Sequence, residues 1–130
     1  MRTKQEYLDL LDETVKYYSE DPSRRAARDL NGRNVCKYLT TDGRKCAVGR
    51  CLETYDASIE SWSVTNKSNY DFIVKEEYFF EKYRGFSRNF WSELQLLHDG
   101  KQYWTNKGLS EYGEKEVSRI RKLIEEGVLC

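Results

Sequence analysis

The chain has 130 residues, with 22 Lys and Arg balanced by 22 Asp and Glu, so it is long enough for one core and too short for two comfortable ones. Ten Tyr, five Phe and three Trp supply large buried areas, which excludes wholesale disorder. No apolar run approaches the roughly 18 residues that span a bilayer, and MRTKQEYLDLL lacks the continuous apolar stretch of a signal peptide. The expectation is one globular domain over residues 1–130, without membrane contact and in the cytoplasm. There its four cysteines are thiols or metal ligands rather than a disulfide framework.

Thr3 and Glu6 have capping-box spacing, and Tyr7, Leu8, Leu11, Val15 and Tyr18 recur at helical intervals, which predicts a first helix from Lys4 to Ser19. Pro22 opens a short second helix through Ser23, Arg24, Arg25, Ala26, Ala27 and Arg28, with Asn31-Gly32 as its stop. Val35 to Thr40 alternates, and Asp42-Gly43 is a tight-turn pair, so a small hairpin is expected there. Its second arm, Cys46 to Leu52, reads equally as a strand or as a short helix.

From Glu53 to Asn69 small polar residues dominate, and the segment reads as a loop with one strand at Ser61 to Thr65. Tyr70 to Phe80 is ambiguous, although Phe72-Ile73-Val74 favours a strand. Ser87 caps a clear helix in which Phe90, Leu94 and Leu97 share one stripe and Trp91, Leu94 and His98 the adjoining one, ended by Gly100. A loop with Tyr103, Trp104 and Gly108 follows. Val117, Ile120, Leu123 and Ile124 then define a last helix, with Ser110 as its cap and Gly127 as its stop. The predicted fold is α+β, three main helices packed on a small antiparallel sheet containing the hairpin at Asp42-Gly43.

The most informative stretch is Asn34 to Leu52, which holds three of the four cysteines and a dense run of cations. Charge is uneven around it: Ser23 to Arg50 has eight Lys and Arg against two Asp, and Cys51 to Glu81 has seven acids against two Lys. Arg24, Arg25, Arg28, Arg33, Lys37, Arg44, Lys45 and Arg50 are the candidate binding residues of an anion-recognising face. Basic and aromatic residues also alternate in Lys37-Tyr38 and Lys82-Tyr83-Arg84, a pattern that grips nucleic-acid backbone and stacks bases. No glycine-rich phosphate loop accompanies it.

Cys36, Cys46, Cys51 and His98 form the inventory of a three-cysteine, one-histidine zinc site, but only Cys46 and Cys51 are near neighbours, whereas structural zinc sites use closely spaced pairs. The sequence therefore favours a dry cluster in which Cys36, Cys46 and His98 tie hairpin to helix, with zinc as the alternative. A Cys-dependent enzyme is a further alternative. Cys46 follows Arg44 and Lys45, which would lower a thiol pKa, and His98 with Asp99 would supply base and orienter.

CKY, the DG turn, KCAVGRCL and the later LQLLHDG, followed by a Trp and Gly-Leu, resemble a group of small uncharacterised proteins encoded by bacteriophages and their bacterial hosts. The shared positions fall on Cys36, Tyr38, Asp42, Gly43, Lys45, Cys46, Ala47, Gly49, Leu94, Gln95, His98, Asp99 and Trp104. The Pro often found after CAVG in that group is replaced here by Glu53. The resemblance implies a phage-type accessory protein in the host cytoplasm that acts stoichiometrically on a host enzyme or defence complex. The expected partner is a host protein with an acidic surface, preferred over nucleic acid because overall charge is balanced and the acidic block would repel phosphate.

Overall fold

The computed structural model describes residues 2–25, 45–53, 62–63, 72–73 and 76–129. Helix α1 runs Lys4–Glu20, opened by a complete capping box: the Thr3 hydroxyl accepts the Glu6 N–H, and the Glu6 carboxylate accepts the Thr3 N–H. It buries Tyr7, Leu10, Leu11, Thr14 and Tyr18, with Leu8 and Val15 half-buried at the margin of the same stripe. Asp21 then caps a single 3-10 turn, Pro22–Arg24. Where a short helix is predicted from Pro22, the turn ends at Arg24, and Arg25 is extended, at φ −67° and ψ 135°. Its side chain instead donates from Nε to the His98 carbonyl at 2.8 Å, a tertiary contact that local propensity does not encode. Ala26 to Arg28 and the hairpin expected at Asp42-Gly43 lie outside the described residues.

The cysteine-rich cassette Asn34 to Leu52 is described from Lys45 onward. Its second half is a turn followed by a 3-10 turn at Gly49–Cys51, after which Leu52 forms an antiparallel bridge to Phe79. Two flanking backbone bonds, Glu53 N–H to Tyr78 O at 2.8 Å and Phe80 N–H to Cys51 O at 3.0 Å, fasten this segment to residues 78–80. Strands β1 (Trp62–Ser63) and β2 (Phe72–Ile73) pair in parallel, within the two stretches that the sequence marks as strand-forming.

Helix α2 spans Arg88–Asp99 with Ser87 as its N-cap, and helix α3 spans Glu111–Glu125 with Ser110 as its N-cap. Between them, β3 (Trp104–Thr105) and β4 (Gly108–Leu109) form a small antiparallel pair in the stretch predicted as loop. Two-residue arms are too short for alternation to show in sequence. Three helices with this antiparallel pair make the fold α+β, the predicted class.

Position 113, where Ser110 lacks the acid of a capping box, is glycine for a steric reason. A Cβ there would lie 2.1 Å from the Tyr103 carbonyl oxygen, so α3 approaches the chain before β3 with no room for a side chain. Gly127, at φ +78°, ends α3 as predicted, with Val128 N–H reaching back to Leu123 O at 2.9 Å.

The buried residues of all three helices and of Cys46 to Leu52 join in one hydrophobic cluster. Aromatic packing dominates it: Phe79 stacks on Trp91 at 4.6 Å, and Tyr7 meets Phe86 and Phe90 edge-on. Among the described residues no helix is long and apolar enough to cross a membrane.

Candidate functional site

Residues 45–52 are two-sided, and the two sides have different chemistry. Inward, Cys46, Cys51 and His98 have no exposed surface. The Cys46 sulfur accepts the Gly49 N–H at 3.3 Å, and the Cys51 thiol points at the Ala47 carbonyl at 3.6 Å, so both thiols close their own turn. Gln95 joins this turn to α2: its Oε1 accepts the buried Val48 N–H at 3.2 Å, and its Nε2 donates to Asp99 Oδ1 at 2.9 Å. The same Asp99 oxygen lies 2.8 Å from His98 Nδ1. The Tyr18 ring packs edge-on to His98 at 5.0 Å while its hydroxyl donates to the Lys45 carbonyl at 2.6 Å.

Burial sets the chemistry of these groups. It pushes the Cys51 thiol up to about 12, raises Tyr18 well above its ordinary value, and holds the His98 imidazole below its own against the opposing pull of Asp99. His98 and Asp99 form a hydrogen-bonded pair. Gln95 and the His98–Asp99 pair fasten the segment to α2, with the Asp99 side chain 28% exposed at the edge of the network. Cys36, the third member named for the dry cluster and for zinc, lies outside the described residues. Among the described residues no three or more His, Cys, Asp or Glu side chains are grouped to hold a metal ion.

Outward, the cassette contributes Arg50 to a run of alternating cations and rings. The Arg24 guanidinium lies 4.6 Å from the Tyr17 ring centroid, and Arg50 lies 5.2 Å from Tyr17 and 5.5 Å from Tyr83. Lys82 Nζ completes the run, 4.9 Å from Tyr83. Glu13 sits at the centre. Its Oε2 accepts from Arg50 Nη2 at 2.9 Å and from the Tyr83 hydroxyl at 2.8 Å. Partial burial works against the Glu13 charge, but these two hydrogen bonds outweigh it and hold the carboxyl below its usual range. Tyr83 is shifted up by burial and by its bond to Glu13.

Of the eight candidate binding cations, Arg28, Arg33, Lys37 and Arg44 lie outside the described residues, and Arg24, Arg25, Lys45 and Arg50 gather around the C-terminal end of α1. Two of them also serve helix ends. Arg24 donates to the Tyr17 carbonyl at 2.9 Å and Arg25 to that of His98, placing cations where the helix dipole is negative. Tyr17, Glu13 and Tyr83 come from separated segments, so no sequence window shows them as parts of one site. The Lys82-Tyr83 pair was the one visible signal.

A shallow groove between the end of α2 and α3 is lined by Leu96, Tyr103, Glu116 and Arg119, and Arg119 bridges Glu93 and Glu116 across it. Comparison with protein-family models, with curated proteins and with solved structures finds no match for this chain.

Proposed function

We propose that this protein is a stoichiometric binding protein, a phage-type accessory factor that engages a host protein through an acidic surface, with the Arg24, Tyr17, Arg50, Tyr83 and Lys82 run as its contact face. The observation that carries the reading is that run itself. The Arg24 and Arg50 guanidinium groups rest against rings and are hydrogen-bonded, which lowers the ordering cost of presenting them to a carboxylate. Lys82 is exposed and Arg24 half-exposed, so the ends of the run are open to a partner. The burial of Cys46 and His98 supports binding over thiol catalysis, since a nucleophile must meet its substrate. The resemblance to phage proteins supplies the host context.

The test is affinity capture from host lysate with and without nuclease, by the native chain and by an Arg24→Glu, Lys82→Glu variant whose circular dichroism is unchanged. Capture of one protein that survives nuclease and is lost in the variant is the expected result. Unchanged capture removes this face from the proposal, and loss with nuclease alone replaces the protein partner with nucleic acid.

A further inference from the structure

Arg50 and Tyr83 make a donor pair whose present occupant fills only part of it. The Arg50 side chain is 12% exposed, and its guanidinium is set between the Tyr17 and Tyr83 rings. Tyr83 is 6% exposed. Neither donor has much freedom to turn toward water. The acceptor differs: Glu13 is 46% exposed and reaches the pair with one oxygen, Oε2. Arg50 Nη1 donates to the Tyr83 hydroxyl at 3.2 Å, and Arg50 Nε is buried with no hydrogen-bond partner among the described residues.

A guanidinium binds a carboxylate best through two parallel N–H bonds, and Nε with Nη2 forms one such edge. Glu13 uses Nη2 and leaves Nε unmatched. An orphaned buried donor on a charged group is costly, so the pair has an unmet capacity for a second oxygen. We propose that Arg50 and Tyr83 form a carboxylate-binding site in which Glu13 is a resident, displaceable occupant. A partner's Asp or Glu side chain takes the site by engaging Nε and Nη2 together while Glu13 turns out to solvent. The resident group itself identifies the ligand class. The inference rests on the proposed contact face and adds to it the atoms that read the partner.

A free carboxylate competes poorly with a tethered one, because Glu13 is present at high effective concentration. One delivered by a docked partner is tethered too and competes on equal terms. Glu13 thus acts as a filter, favouring an acid presented within an otherwise matching surface over carboxylates free in solution.

The experiment removes the occupant and follows the Arg50 Nε–H resonance by NMR during titration with acetate and, separately, with inorganic phosphate. In folded Glu13→Ala, acetate is expected to shift this resonance saturably, whereas the native chain requires at least tenfold more acetate for the same shift. Adding Tyr83→Phe should weaken the acetate response several-fold. If Glu13→Ala does not fold, Glu13→Ser removes the carboxylate with a side chain too short to reach Arg50, and the same response is expected. No saturable acetate response in a folded variant overturns the proposal, as does saturation by phosphate alone. Failure here with capture still dependent on Arg24 and Lys82 overturns this inference and leaves the contact face standing.

Discussion

The inward and outward sides of the cassette are built from neighbouring residues, yet they have opposite relations to water. Cys46, Val48, Cys51 and Leu52 are buried in the core, where Gln95 of α2 accepts the Val48 N–H and donates to Asp99. Arg50, beside Cys51, is held on the opposite side by two rings and Glu13, at the edge of solvent. The contrast teaches where reactivity resides. The residue types that look most chemical in the sequence, the thiols of Cys46 and Cys51 and the imidazole of His98, are the ones with no exposed surface. The ordinary-looking Tyr17, Glu13, Tyr83 and Arg50 side chains instead form a hydrogen-bonded and ring-packed group in which Glu13 is the most exposed charge.

The sharpest way to test that contrast is to damage each side in turn. Trp91 is buried and stacked on Phe79, and Trp91→Ala should cost about 3–5 kcal/mol, most of the stability of a small domain. Lys82→Ala, on the exposed end of the rim, should change stability by no more than about 0.5 kcal/mol. Chemical denaturation of both variants checks the pair; equal costs would break the division. A smaller effect is expected at the polar tie: Gln95→Ala strands the buried Val48 N–H and should cost about 1–3 kcal/mol. Hydrogen exchange should show that amide losing protection before the amides of α3.

The pH dependence gives a finer probe. His98 is held below its ordinary value of 6.5 by burial, so the unfolded chain takes up this proton more readily than the folded one. The sign follows: the contribution is fully present above about 6.5 and is lost as pH falls below it, at a limiting slope of about 1.4 kcal/mol per unit. Glu6, Glu13 and Asp21, whose folded values are lowered, lose their contributions only in the more acidic carboxylate range. Thermal melts between pH 7.5 and 5.5 should fall for the native chain and stay flatter for His98→Gln. Parallel curves would remove His98 from the account.

The helices were legible because each combines a long apolar stripe with a capping side chain: Thr3, Ser87 and Ser110 all act as the sequence predicts. The β3–β4 pair was not, because a ladder of two residues per arm leaves no period to read. Arg25 was placed in a helix that it leaves, since its partner is a carbonyl in α2 far along the chain. At the site, His98 with Asp99 could be seen from adjacency alone. The inward turn of Cys46 could not, because the spacing from Cys46 to Leu52 fits strand and helix alike. The Arg50, Glu13 and Tyr83 constellation draws on three separated segments, and no single window contains it.

Native-state thiol labelling, read by peptide mass at Cys46 and Cys51 near neutral pH, tests the two-sided cassette most directly. Both thiols should be modified together, at the rate of unfolding and independent of reagent concentration once the reagent is in excess. Rapid modification of Cys46 alone, with Cys51 protected and the far-ultraviolet circular dichroism unchanged, would contradict the account and make Cys46 an accessible, reactive group.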